Sequence, residues 1–149
     1  MTINKVGLAS DHAGFEIKEV VKNFLDEWLG ESEIYDFGTY SEERVDYPDF
    51  AHKLGNAIDS GEVEWGVIVC GSGNGIAMAA NKHPHVRAGL AWNTEQAELT
   101  RQHNNANVLS IPGRFVTPDE ARAITRTFFE TEFEGGRHTA RVAKIPLQD

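Results

Sequence analysis

Residues 67–80 of the chain read VIVCGSGNGIAMAA, a pattern that predicts a buried β-strand, a glycine-rich turn and the start of a helix. The apolar run ends at Cys70, the only cysteine of the chain. Three glycines then alternate with Ser72 and Asn74, and such a turn lets several backbone N–H groups point at one spot that favours an anion. A reactive thiol would then lie beside an anion site. The alternative is a buried strand-end cysteine followed by an ordinary turn, and this stretch alone leaves both interpretations open.

The composition is typical of an acidic globular domain. The chain has 149 residues, of which 40% are hydrophobic and 25% charged, and its net charge is −9. This size predicts a single domain over residues 1–149. The negative charge argues against nucleic acid or an anionic membrane surface as a partner. One cysteine, no apolar leader segment and no long apolar run predict a cytoplasmic protein without a membrane span.

Short apolar strands alternate with amphipathic helices along the whole chain. The predicted strands are residues 5–10, 34–37, 63–70, 86–91 and 108–111, and the predicted helices are residues 15–29, 48–60, 74–82, 95–103, 118–130 and 137–145. Asn93 or Thr94 is expected to cap the fourth helix, and Thr117 with Glu120 forms a capping box for the fifth. The pattern predicts an α/β fold, a doubly wound parallel sheet of five strands with helices on both faces and a C-terminal helix.

Two polar turns follow predicted strands directly, and both should face one crevice. Ligands of such sheets bind beyond the carboxyl ends of the strands. Asp11 and His12 follow the first strand, and the turn from Cys70 to Gly75 follows the third. The sequence therefore favours a functional Cys70 over a merely structural one.

Several familiar phosphate and metal motifs do not fit the turn after Cys70. Ile76 stands where a dinucleotide fingerprint needs Gly or Ala, where a P-loop needs Lys, and where a cysteine phosphatase loop needs Arg. A lone cysteine without a close histidine pair disfavours zinc. Proton transfer fits better, with Cys70 as the base and the backbone N–H groups of residues 71–75 stabilising an enediolate.

Cationic residues elsewhere could bind phosphate. Arg137 and Arg141 share one face of the last helix, Arg114 lies in a Pro-Gly-Arg turn, and His12 follows the first strand. Surface ion pairs are the alternative for the two C-terminal arginines, and interaction with the helix dipole is the alternative for His103 at the end of the fourth helix. The remaining histidines are expected at the surface or in loops: His52, His83, His85 and His138.

Taken together, the motifs resemble the family of type B ribose-5-phosphate isomerases, which also contains the galactose-6-phosphate isomerase subunits. They occur in family order over nearly the whole chain: residues 10–14 (SDHAG), 46–48 (DYP), 70–75 (CGSGNG), 79–82 (AANK), 101–104 (RQHN), 107–109 (NVL), 135–138 (GGRH) and 141–142 (RV). The resemblance implies a Rossmann-like fold and a homodimer or tetramer of dimers. It also implies an active site at the dimer interface, built from both subunits without a metal or organic cofactor.

The resemblance also implies roles for individual residues. Cys70 would move a proton between C1 and C2 of a sugar phosphate, Ser72 would handle the O1/O2 proton, and His103 with Asp11 would open the sugar ring. Some members of the family use a carboxylate later in the turn, but this turn carries no acid, so the cysteine mechanism is the one implied. The implied substrate contacts are His12, Tyr47, Gly71, Gly73, Asn74, Gly75, Asn104, Arg114, Arg137 and Arg141.

The implied activity is the interconversion of D-ribose 5-phosphate and D-ribulose 5-phosphate in the non-oxidative branch of the pentose phosphate pathway. Two alternatives stay open. The first is an isomerase of a six-carbon aldose phosphate, either allose 6-phosphate or galactose 6-phosphate. The second is a non-catalytic protein that only binds sugar phosphates.

Overall fold

The structure is a computed structural model that describes residues 2–148. Its strands are Lys5–Ser10 (β1), Glu33–Asp36 (β2), Trp65–Cys70 (β3), Ala88–Leu90 (β4) and Val108–Pro112 (β5). Its helices are Phe15–Trp28 (α1), Tyr47–Asp59 (α2), Asn74–Ala80 (α3), Thr94–Asn104 (α4), Pro118–Glu130 (α5) and Arg137–Ala143 (α6). No helix among these is long and apolar enough to cross a membrane.

The five strands form one parallel sheet in the order β2-β1-β3-β5-β4. The prediction of a doubly wound parallel sheet is therefore confirmed. The chain leaves β1 toward one edge of the sheet and leaves β3 toward the other. The turns after β1 and β3 lie side by side at this reversal, which is where parallel sheets of this kind bind ligands.

The sheet is covered by helices on both faces. Buried apolar residues of α1, α4 and α5 pack on one face, and those of α2 and α3 pack on the other. Side chains alternate between the faces along β3, so that Val67 and Val69 point to the first layer while Ile68 and Cys70 point to the second. Cys70 thus ends its strand on the side of α2 and α3.

All element boundaries agree with the sequence prediction to within two residues. Strand β4 is shorter than predicted, and the backbone just before it bonds to the side chain of Asn107. Its Oδ1 accepts from the Arg87 N–H at 2.8 Å, and its Nδ2 donates to the His85 carbonyl at 2.8 Å. At α4, Asn93 is the cap rather than Thr94, since its side chain accepts from the Gln96 N–H at 2.9 Å.

A buried ion pair joins α1 to the end of β2. The side chain of Lys18 is fully buried, and its ammonium lies 2.7 and 2.8 Å from the two carboxylate oxygens of Asp36. Burial alone would raise the pKa of Asp36. The hydrogen bonds from Lys18 and from the Gly38 N–H outweigh this effect and hold the pKa below its usual value.

We expect Asp36→Asn to lower the free energy of unfolding at pH 7 by about 3 kcal/mol, because the Lys18 charge would remain buried without its main partner. Because the pKa of Asp36 is lower in the folded protein than in the unfolded chain, ionised Asp36 contributes its full stabilisation at pH values above the unfolded pKa of about 3.9. This contribution is lost as the pH falls through the pKa of the folded protein. Urea unfolding at pH 7 and pH 3 measures both effects, and the variant should show the weaker acid dependence.

Asp119→Asn, at an exposed pair with Arg122, is the matched control and should change stability by less than about 1 kcal/mol. An unchanged acid dependence in Asp36→Asn would contradict this assignment.

Candidate active site

A cavity of about 560 Å³ opens where the turns after β1 and β3 meet. It is lined by Asp11, His12, Ala13, Tyr47, Cys70, Gly71, Ser72, Gly75, Arg114 and Phe115. We call it the first cavity. It brings together the thiol, the glycine turn and two of the predicted phosphate ligands.

Hydrogen bonds from the chain after β5 hold the cysteine turn in place. Cys70 is 4% exposed, and its carbonyl accepts from the Gly113 N–H at 2.8 Å. The carbonyl of Gly71 accepts from the Arg114 N–H at 3.1 Å. Farther along the turn, Gly73 has a φ of +76°, which a larger residue adopts only with strain. The buried hydroxyl of Ser110 donates to the Gly73 carbonyl at 2.7 Å.

Of the two polar side chains in the turn, only that of Ser72 borders the first cavity. The Ser72 hydroxyl accepts from the Asn74 N–H at 3.2 Å, and Ser72 lines the first cavity. Gly73 and Asn74 do not line it. These two predicted substrate contacts therefore lie outside the lining of the first cavity.

The turn after β1 supplies a carboxylate and an imidazole. The buried Asp11 carboxylate accepts from the Gly14 N–H at 2.9 Å, so one of its oxygens stabilises the turn that precedes α1. His12 Nδ1 accepts from the Val45 N–H at 3.2 Å. This bond assigns the proton of the neutral His12 ring to Nε2, where it is available to donate to an anion.

Two glycines allow larger side chains to lie against the turn. A Cβ on Gly71 would lie 3.2 to 3.3 Å from side-chain atoms of Arg114, and a Cβ on Gly75 would lie 2.6 Å from Cζ of Tyr47. The absence of a side chain at these positions lets the guanidinium and the phenol ring border the first cavity.

A second cavity, of about 290 Å³, contains other predicted site residues. It is lined by His103, Asn104, His138, Arg141, Val142 and Ile145. No residue lines both cavities. Arg137 is exposed at the first position of α6 and lines neither of the two.

The topology explains why the two cavities are separate. In a parallel sheet each connecting helix returns the chain to the end of the sheet at which all strands begin. The end of α4, with His103, therefore lies beside the start of β5, while Cys70 lies where β3 ends. Asp11 and His103, which the family resemblance pairs in ring opening, consequently line different cavities of one chain.

His138 is not the surface or loop residue that the sequence predicts. It is 5% exposed, and its ring stacks on that of His103 with the centroids 4.3 Å apart. Burial, together with the nearby charges of His103 and Arg137, lowers the pKa of His138. The available signal was its spacing from Val142, which is four residues later and on the same inward face of α6.

Two further residues of the first cavity and its surroundings escaped the sequence prediction. Ser110 supports the turn from the middle of β5, and no local pattern distinguishes it from other strand serines. Phe115 lines the first cavity although it is 74% exposed. An aromatic residue directly after the Pro-Gly-Arg turn was the signal that could have revealed it.

The family model described as Ribose/Galactose Isomerase matches residues 6–145. The chain belongs to the ribose/galactose isomerase family. Within that family it is similar to ribose-5-phosphate isomerase B of Escherichia coli, with 39% identity over 144 residues, which are 96% of this chain and 95% of that protein.

Solved structures support membership of the ribose/galactose isomerase family. The chain is similar to a ribose 5-phosphate isomerase from Thermotoga maritima, with a TM-score of 0.90, 48% identity and coverage of 96% of this chain and 97% of that one. It is similar to ribose-5-phosphate isomerase B of Clostridium thermocellum with a TM-score of 0.91 and 45% identity, over 95% of this chain and 94% of that one. The Rossmann-like fold expected from the sequence is thereby confirmed.

Proposed function

We propose that this protein is an aldose–ketose isomerase that interconverts D-ribose 5-phosphate and D-ribulose 5-phosphate. Family membership supports the isomerase class, and the names of the relatives support this substrate. The observation that carries the proposal is that Cys70 lines one cavity together with the glycine turn, His12 and Arg114. In this proposal Cys70 is the base, the glycine turn is the anion site, and His12 and Arg114 bind the phosphate.

The proton-transfer step follows from this arrangement. The Cys70 thiolate removes the proton from C2 of the open-chain aldose and becomes a thiol, and the electron pair of the C–H bond forms an enediolate. Backbone N–H groups of the turn residues that line the cavity, Gly71, Ser72 and Gly75, stabilise the negative charge on its oxygens. The Ser72 hydroxyl passes a proton between O2 and O1, and the thiol returns its proton to C1 to give the ketose.

The phosphate contacts support a site shared between two copies of the chain. His12 and Arg114 border the first cavity, while Arg141 lines the second, with Arg137 one helical turn away. The first cavity lies where β1 and β3 end, whereas His103 of the second cavity lies just before β5 begins. In our proposal, the first cavity of one copy meets the second cavity of its partner in a symmetric homodimer, which forms two complete sites.

Exposed apolar side chains beside both cavities support this dimer. Phe115, which lines the first cavity, is 74% exposed, and Ile145, which lines the second, is 53% exposed. Burying such residues against a second copy is favourable, and a C2 dimer that joins the two cavities would bury both Phe115 and Ile145. Assembly into a tetramer, a cytoplasmic location and a place in the pentose phosphate pathway remain predictions from the sequence.

The proposed function is tested by comparing kcat/KM for D-ribose 5-phosphate with that for allose 6-phosphate and galactose 6-phosphate. An added carbon changes the distance between the phosphate and the reacting carbons, and we expect a preference of roughly 10- to 200-fold for the five-carbon substrate. A preference for a six-carbon phosphate would contradict the substrate. Calorimetric binding of ribose 5-phosphate without turnover would instead favour the non-catalytic alternative.

His103→Ala should lower kcat for ribose 5-phosphate by roughly 100-fold, because the ring must open before C2 becomes acidic. D-erythrose 4-phosphate is the open-chain comparison, since its phosphorylated 4-hydroxyl cannot close a five-membered ring. Turnover of this aldose should change much less. Gln102→Ala is the matched control on α4, as the Gln102 side chain pairs with Glu98 and lies outside both cavities. Equal losses on both substrates would count against a ring-opening role.

A further inference from the structure

Three potential metal ligands converge beside the second cavity. Ring nitrogens of His103 and His138 and a carboxylate oxygen of Glu134 all lie within 4.8 Å of one another. Glu134 Oε1 is 3.7 Å from Nε2 of His138. Tetrahedral zinc, with bonds of roughly 2.0–2.1 Å, places its ligand atoms about 3.4 Å apart. Small side-chain rotations would therefore bring the three atoms to coordinating distance.

A second observation comes from His138 itself. Its side chain is only 7% exposed, yet Nε2 has no hydrogen-bond partner among the described residues. Buried ring nitrogens normally have a hydrogen-bond partner, so the unpartnered Nε2 of His138 is available to bind a ligand. The Glu134 carboxylate is too distant for a hydrogen bond, but its side chain is 55% exposed and can move. The Glu134 N–H bonds to the Gln102 carbonyl at 3.1 Å, which anchors its backbone next to His103.

We propose that His103, His138 and Glu134 bind a divalent transition metal ion, with Zn²⁺ as the best match, and that this ion inhibits the isomerase. Two histidines and one glutamate form a donor set that zinc uses in proteins, with a fourth position left open. Arg141 lines the same cavity, and its charge opposes a cation. Glu134 is the only carboxylate of the group, so zinc affinity depends strongly on its charge.

The inhibitory effect rests on the proposed function, whereas metal binding does not. An ion held by His103 occupies the nitrogen lone pair that ring opening requires, and it fixes the ring in one orientation. The isomerase reaction itself involves no metal in this scheme. Zinc would therefore act as a reversible inhibitor of the step that involves His103.

Calorimetric titration of the metal-free full-length protein with ZnCl₂ tests the site directly. We expect one Zn²⁺ per chain, with the affinity lowered at least tenfold in Glu134→Gln and in His138→Gln. Glu130→Gln, which removes a nearby exposed carboxylate paired with Arg126, is the matched control and should bind like the wild type. Cys70→Ser and His83→Asn control for the thiol and for the cluster of His83 with His52 and Asp59. Wild-type affinity in Glu134→Gln, or loss of binding in either of these two controls, would overturn the site.

Inhibition is measured as ribulose 5-phosphate formation at increasing Zn²⁺, with reversal by EDTA. Glu134→Gln should keep the basal activity and need at least tenfold more Zn²⁺ for half inhibition. Zinc that binds at this site without slowing the enzyme would refute the inhibitory role. If the wild-type protein had no isomerase activity, the proposed function would fail while the titration still decided the metal site.

Discussion

Cys70→Ala is expected to lower kcat for D-ribose 5-phosphate by roughly 10²- to 10⁴-fold, the range typical of a lost general base. The other cavity groups would remain, so KM should change little. The thiol lies at the end of β3 and lines the first cavity, and the chain has no second cysteine that could replace it. Initial rates of ketose formation measure the effect. Cys70→Ser keeps the size of the side chain and should lose activity to a similar degree.

Val69→Ala provides the structural control for this loss. Val69 precedes Cys70 on the same strand but is buried in the opposite helix layer. Its truncation should cost about 1–3 kcal/mol of stability and leave kcat close to the wild-type value. Full activity in Cys70→Ala would show that the base is another group. A similar loss of kcat in Val69→Ala would attribute the effect to packing.

Mixing two inactive variants should restore activity if the site is shared between subunits. Cys70→Ala damages the first cavity, and His103→Ala damages the second. In a mixed dimer, one composite site carries both defects and the other carries none. Half of the sites in a mixed dimer are intact, so we expect the purified mixed dimer to have about half of the wild-type activity. Co-expression with two different tags, followed by assay of the doubly purified dimer, measures this restoration.

The control for complementation uses two changes in the same cavity. Cys70→Ala and Arg114→Ala both affect the first cavity, so each composite site of their mixed dimer keeps one defect. This pair should stay at the level of the single variants. Mixed dimers of Cys70→Ala and His103→Ala that stay equally inactive would refute the shared site, because their purification proves that the chains had paired.

The sequence by itself determined the elements and the order in which they alternate. The strand that ends at Cys70 and the glycine turn after it are local features, since an apolar run and a series of flexible residues act over a few positions. The same holds for the capping box of α5, where Thr117 and Glu120 exchange hydrogen bonds of 3.1 and 2.9 Å as predicted. Alternation of strands and helices sufficed to predict a parallel, doubly wound sheet.

Only the tertiary structure decided which site residues lie together. Helix α4 returns the chain to the start of β5, and His103 is thereby separated from Cys70 within one chain, although the family resemblance assigns both to one reaction. His138 becomes buried because α6 packs its ring on His103, a contact across 35 positions of the chain. Ser110 supports Gly73 from another strand. Such neighbours depend on how distant elements pack, and local sequence patterns contain no record of that packing.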